Sequence, residues 1–187
     1  DVDYHELINS WSKNTFKTPR ELTNFGLYNT ISLAIKVNWI LKAFNHELKG
    51  KKILDLGCGS IGETFEAKTY ENRYEPWLAR FLHDTKDETG IEIYGADFGD
   101  LSKEKFPGYR VNLLEKGTLL KEYKENYFDL VHASHLFNSP ELEGQLSGNY
   151  KVANATEKSS KTLMDIVEPQ VERILKPEGV FLVKYTD

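Results

Sequence analysis

Ile53-Leu54-Asp55-Leu56-Gly57-Cys58-Gly59-Ser60-Ile61-Gly62 is the stretch on which the fold turns. The short apolar run reads as a strand, and the glycines after it as a tight turn into a helix. Glycine lets the backbone bend there and lets a ligand approach main-chain atoms closely. Gly57, Gly59 and Gly62 satisfy the G-x-G-x-x-G spacing of dinucleotide sites, but two neighbours argue against a dinucleotide. A dinucleotide puts its pyrophosphate at the helix N-terminus, where an anion is welcome. Here Asp55 stands two residues before the first glycine, at a strand end suited to a cationic group. A dinucleotide site also wants an acid about 20 residues further on for the ribose. Positions 75–80 are still helical, and the acid that closes the next strand is Asp97, about forty residues away.

Outward from this turn the chain alternates strands and helices. Before it, Leu33, Val37, Ile40, Leu41, Phe44 and Leu48 recur at helical spacing and predict a helix over 29–48, ended by Lys49-Gly50. After it, Tyr70, Tyr74, Trp77, Leu78, Phe81 and Leu82 mark a long amphipathic helix that Pro76 interrupts. Further strands are predicted at 91–96, 109–112, 128–133 and 180–185, with a helix at 163–175 that Pro169 kinks or divides. Residues 139–161 are rich in Ser, Gly, Asn and Lys without a period, and read as a loop or lid insertion. Such alternation means a parallel sheet covered by helices on both faces. Residues 1–28 form a partly helical N-terminal arm, a candidate lid, and residues 29–187 one α/β domain.

Ile53 to Gly59 resembles the first motif of the class I S-adenosylmethionine-dependent methyltransferases. The likeness continues in order. Ile93-Tyr94-Gly95-Ala96-Asp97 is similar to the family's second strand with its ribose-binding acid, and Phe128-Asp129-Leu130-Val131 to its fourth strand. Arg173-Ile174-Leu175-Lys176-Pro177-Glu178-Gly179 looks like the turn before its fifth. The resemblance implies a Rossmann-like three-layer sandwich with a mainly parallel sheet of order 3-2-1-4-5, and S-adenosyl-L-methionine as cofactor. It departs in four places. The family's third glycine usually falls where Ile61 is, and the helix after the first motif is about twenty residues longer than common. The third strand ends in Asn112-Leu113 rather than in an acid, and the family's last two strands are missing after Tyr185. The bare edge strand 180–185 is therefore expected to be followed by more chain or to pair across a homodimer. A start at Asp1 rather than Met likewise predicts a trimmed or processed N-terminus.

By the resemblance, Asp55 holds the methionine end of the cofactor, directly or through water; the alternative from the residues alone is a carboxylate that caps the next helix. Gly57 and Gly59 contact the cofactor, with Cys58 between them as a small packing residue that no neighbouring base activates. Asp97 accepts hydrogen bonds from both ribose hydroxyls. Phe98 packs on the adenine or is an ordinary half-buried aromatic, and the Asn112 amide can bond the adenine edge. Leu113 and Ala133 complete the expected cofactor contacts. His132 and His135 end the fourth strand, where parallel sheets place their ligands. Alternation turns only one of them toward the site. His135, beyond the strand, is the expected catalytic residue, as general base or substrate contact. No metal is expected.

With 40% apolar and 28% charged residues and a net charge of -5, the composition fits a soluble globular protein and argues against a phosphate-neutralising surface. Nucleic acid is thus not the expected partner. No run approaches the ~18 apolar residues of a membrane span. The single cysteine excludes an internal disulfide and fits a reducing compartment, so the cytoplasm is expected. Asn138-Ser139-Pro140 is not the Asn-Pro-Pro-aromatic motif of enzymes that methylate DNA or glutamine amino groups, and no Pro-Cys nucleophile of the cytosine C5 type is present. A sulfonium methyl is already activated, so catalysis needs mainly alignment, exclusion of water and sometimes removal of a proton. The expected activity is O- or N-methylation of a small molecule. A non-catalytic methyltransferase-like binding module and a protein or RNA methyltransferase are the alternatives.

Overall fold

A computed structural model describes residues 2–61 and 74–185. The first half holds α1 (Tyr4–Thr15), α2 (Pro19–Ala43), β1 (Lys52–Leu56), α3 (Trp77–Asp84), α4 (Lys86–Thr89) and β2 (Glu92–Asp97). The second holds β3 (Gly108–Arg110), α5 (Thr118–Glu122), β4 (Phe128–Ser134), α6 (Pro140–Ser147), α7 (Glu157–Ile174) and β5 (Leu175–Lys184). The sheet order is β3-β2-β1-β4-β5 with parallel pairings throughout, the Rossmann-like arrangement expected from the sequence. Asp55 lies at its centre, in register with Gly95 of β2 and His132 of β4. Between β4 and β5 the ladder joins Phe128 to Leu175 and resumes with Leu130 and Val180, so the predicted turn at 176–179 bulges out between the two pairings.

Strand alternation sorts the core into two layers. Ile53, Ile93 and Leu130 pack with Leu33 and Val37 of α2 and Phe81 and Leu82 of α3. Leu54, Leu56, Val131 and Ala133 pack on the other face with Leu163, Val167 and Val171 of α7. The N-terminal arm belongs to the first layer. Trp11 meets Phe16, Phe25, Trp77 and Phe81 edge to face, at centroid separations between 5.4 and 6.3 Å. Its indole N–H donates to Asp84 Oδ2 at 2.9 Å.

Several boundaries differ from the sequence reading, each for a local reason. α2 starts at Pro19 because Thr18 Oγ1 accepts the Glu21 N–H and proline suits a first turn. Gly26, at φ +68° and ψ -179°, breaks it just before the helix read from the apolar period. It ends at Ala43, since Asn45 and His46 take left-handed backbone; Leu48 is buried from beyond the helix. The loop reading of 139–161 is corrected: Ser139 caps α6 with Pro140 in its first turn, and Thr156 caps α7, which begins at Glu157 rather than 163. Pro169 sits inside α7 without ending it. Gly62 and Tyr70 lie outside the described residues; the helix read after the glycine turn is borne out from Trp77, where α3 begins, but residues 74–76 are not helical, because Pro76 stands at its N-cap. No helix among the described residues is long and apolar enough to cross a membrane.

Glu143 joins the two corrected helices. It is buried on α6, and its Oε1 accepts the Thr156 N–H at 2.7 Å. That bond, helped by the hydroxyls of Ser147, Ser159 and Thr156, lowers its carboxyl from 4.5 to about 2. A carboxyl lowered by folding adds stability above its unfolded value and loses it as the pH falls through the folded one. The advantage of the wild type over Glu143→Gln should therefore be full above about pH 4.5 and vanish through about 2. Urea melts of both proteins across that range measure it; an advantage independent of pH would exclude the charge as its source.

Candidate functional site

β1 ends in a turn that only glycine can make. Gly57 and Gly59 have φ of +70° and +98°, and the N–H groups of Gly57 and Cys58 both donate to Ala96 O, at 2.7 and 3.1 Å. A Cβ on Gly59 would lie 2.5 Å from Tyr74 O, an approach no side chain tolerates. Ser60 closes the turn, its N–H on Tyr74 O at 2.9 Å and its hydroxyl on Asp100 O at 2.6 Å. Cys58 is buried, and burial, reinforced by the Asp97 and Asp55 carboxylates, pushes its thiol well up. It is a packing residue in an acidic surrounding rather than a thiolate.

Asp97, at the end of β2, ties this turn to the neighbouring strand. Its Oδ1 accepts the Gly59 N–H at 3.0 Å and its Oδ2 the Gly99 N–H at 2.9 Å. Asp97 and Gly57 line both of two adjoining cavities at the carboxyl end of the sheet. The larger, about 530 Å³, is walled by Asp55, Cys58, Gly59, His132 and His135, with Asn29, Ser32 and Lys36 from α2. Glu75 and Glu141 add to its acidity. The smaller is an apolar slot of about 70 Å³ formed by Phe98, Val111, Leu113 and Leu142.

In the larger cavity Asp55 and His132 form a buried pair, 4% and 1% exposed, with Asp55 Oδ1 2.8 Å from His132 Nδ1. Strand alternation predicts that only one of His132 and His135, with His135 the preferred one, faces the site, yet both line the cavity. β4 ends at Ser134, and the left-handed backbone of His135, φ +56°, breaks the alternation. The His135 N–H donates to Lys184 O at 2.9 Å, which fixes that corner to β5.

The turn, Asp55, Cys58, Asp97, Phe98, Leu113 and His135 are thus brought together. Two expected residues are not. Asn112 lies past the end of β3, where its Oδ1 accepts the Leu114 N–H at 3.1 Å in a local turn, and it lines neither cavity. Ala133 is fully buried in the layer beneath α7. The α2 wall was missed in the sequence, although Asn29, Ser32 and Lys36 follow one another at helical spacing.

No protein-family model matches this chain, and no curated protein does. Among solved structures it is similar to a SAM-dependent methyltransferase from Archaeoglobus fulgidus, 19% identical, covering 93% of this chain and 54% of that one with a TM-score of 0.39. It is also similar to a SAM-dependent methyltransferase from Geobacter sulfurreducens in complex with S-adenosyl-L-homocysteine. There the identity is 13%, the coverage 98% of this chain and 55% of that one, and the TM-score 0.36. The chain spans about half the length of these structures. At such identities the likeness is one of fold alone.

Proposed function

We propose that this chain binds S-adenosylmethionine in the two adjoining cavities and is the cofactor-binding part of a methyltransferase acting on a small molecule. The observation that carries the reading is the position of Asp97. Its carboxylate is held by the Gly59 and Gly99 N–H groups, and the residue lines both an acidic cavity and an apolar slot. The residues suit this cofactor. Asp55 and Glu75 favour a cationic methionine end, Asp97 offers a paired acceptor for ribose hydroxyls, and Phe98, Leu113 and Leu142 suit an adenine face. The same acids disfavour a pyrophosphate. When bound, the cofactor supplies a methyl carbon already activated by its sulfonium. The chain's own task is to orient an acceptor, exclude water and receive a proton, and His135 is proposed as a contact to that acceptor. A cavity of about 530 Å³ is in the range that takes a small ligand.

Calorimetric titration tests the reading. S-adenosylhomocysteine should bind and NAD should not, and Asp97→Ala should weaken binding by roughly 1–3 kcal/mol, the cost of hydrogen bonds lost to a charged acceptor. Tight NAD binding with no response to S-adenosylhomocysteine would overturn it.

A further inference from the structure

The exit of β4 carries three buried polar atoms with no hydrogen-bond partner among the described residues: His132 Nε2, Ser134 Oγ and Asn138 Oδ1. All three residues line the larger cavity. Buried polar atoms are nearly always satisfied, so a row of unsatisfied ones marks a place for a ligand. Their chemistry can be read from their other bonds. An ionised Asp55 Oδ1 can only accept, so the pairing selects the His132 tautomer with its proton on Nδ1, and in that tautomer Nε2 presents a lone pair. Asn138 Nδ2 donates to Tyr185 O at 2.8 Å, which fixes the amide and leaves Oδ1 as an acceptor. The Ser134 hydroxyl can accept as well. The row is therefore a set of acceptors, in a cavity where Asp55, Glu75, Asp97 and Glu141 outnumber Lys36. It suits a group with several protons to give and a positive charge.

We propose, resting on the cofactor reading above, that this row receives an ammonium group, so that the methyl acceptor is an amine nitrogen and His132 is the residue that takes its proton. Asp55 acts as a positioning residue, holding the imidazole so that Nε2 faces the cavity. The ammonium proton passes to Nε2 and leaves a nitrogen lone pair. That pair forms the new N–C bond as the methyl's bond to sulfur breaks and its electrons return to sulfur. The imidazolium then releases the proton to solvent. His135 touches the acceptor without carrying the proton.

The test needs no knowledge of the natural amine. Sinefungin resembles S-adenosylhomocysteine but bears a primary ammonium on the carbon that replaces the sulfur. The whole chain should bind it about tenfold more tightly than S-adenosylhomocysteine, a difference of about 1.4 kcal/mol. That preference should fall below about twofold in Ser134→Ala and in His132→Phe. His132→Phe leaves Asp55 unpaired and can misfold; Ser134→Ala decides the matter alone. Long-range nitrogen–proton spectra of the wild type should place the His132 proton on Nδ1. Equal affinity for the two ligands, a preference that survives Ser134→Ala, or a proton on Nε2 of the neutral ring would each overturn the proposal. Failure to bind S-adenosylhomocysteine at all would instead remove the cofactor reading, and this proposal with it.

Discussion

Gly59→Ala should lose measurable binding of S-adenosylhomocysteine and unfold more easily by roughly 2–5 kcal/mol. Two costs add. An alanine at φ +98° is strained whatever surrounds it, and its Cβ would press on Tyr74 O at 2.5 Å and the Glu75 carbonyl carbon at 3.0 Å. Both contacts are backbone, so nothing swings aside. Any shift that relieves them moves the Gly59 N–H, which holds the Asp97 carboxylate. Gly148→Ala separates the terms, because Gly148 has φ +82° with nothing within 4 Å of the added carbon. It should cost about 1–2 kcal/mol from backbone strain alone and leave ligand binding intact. Denaturant midpoints and calorimetry on the two variants measure both effects. If Gly59→Ala proves no worse than Gly148→Ala, the turn is looser than its geometry requires and the site loses its anchor.

The contrast between these glycines also shows what a sequence can carry. The places of Asp55, Gly57, Gly59 and Asp97 were legible because each lies where its own strand ends, and strand-to-helix alternation orders those ends along one edge of a parallel sheet. The Asp55–His132 pair was not legible. The partners lie 77 residues apart and meet only through the register of β1 with β4. Asn112 lines neither cavity because β3 ends at Arg110, two residues before the end of the predicted strand, and its amide oxygen accepts the Leu114 N–H. α6 was hidden for a different reason. Its cap, Ser139-Pro140-Glu141, is a sound helix start, but only Leu142, Glu143 and Gly144 of the helix are buried, too few to show a period. The first layer of the core was unreadable from the arm itself, since two of the four aromatic partners of Trp11, Trp77 and Phe81, lie on α3, beyond the glycine turn.

Trp11→Ala should destabilise the protein by about 3–5 kcal/mol, the range for removing a large buried aromatic. The ring is 6% exposed and touches aromatics on both sides of the chain's first half. Trp11→Phe keeps much of that packing but loses the N–H bond to Asp84 Oδ2, and should cost about 1.5–3 kcal/mol beyond any change in packing, the value of a hydrogen bond to a charged group. The consequence for the site follows from the packing. Trp11 holds Phe25, and Phe25 stands one residue before the break at Gly26, from which α2 runs on to place Asn29, Ser32 and Lys36 in the cavity wall. Loosening the arm should therefore weaken S-adenosylhomocysteine binding under conditions where the variant is still folded. Measured by calorimetry well below the unfolding midpoint, a Trp11→Ala protein with unchanged affinity would show that α2 keeps its place without the arm. An unchanged midpoint would show, more broadly, that residues 1–28 are an appendage to the fold and not part of its core.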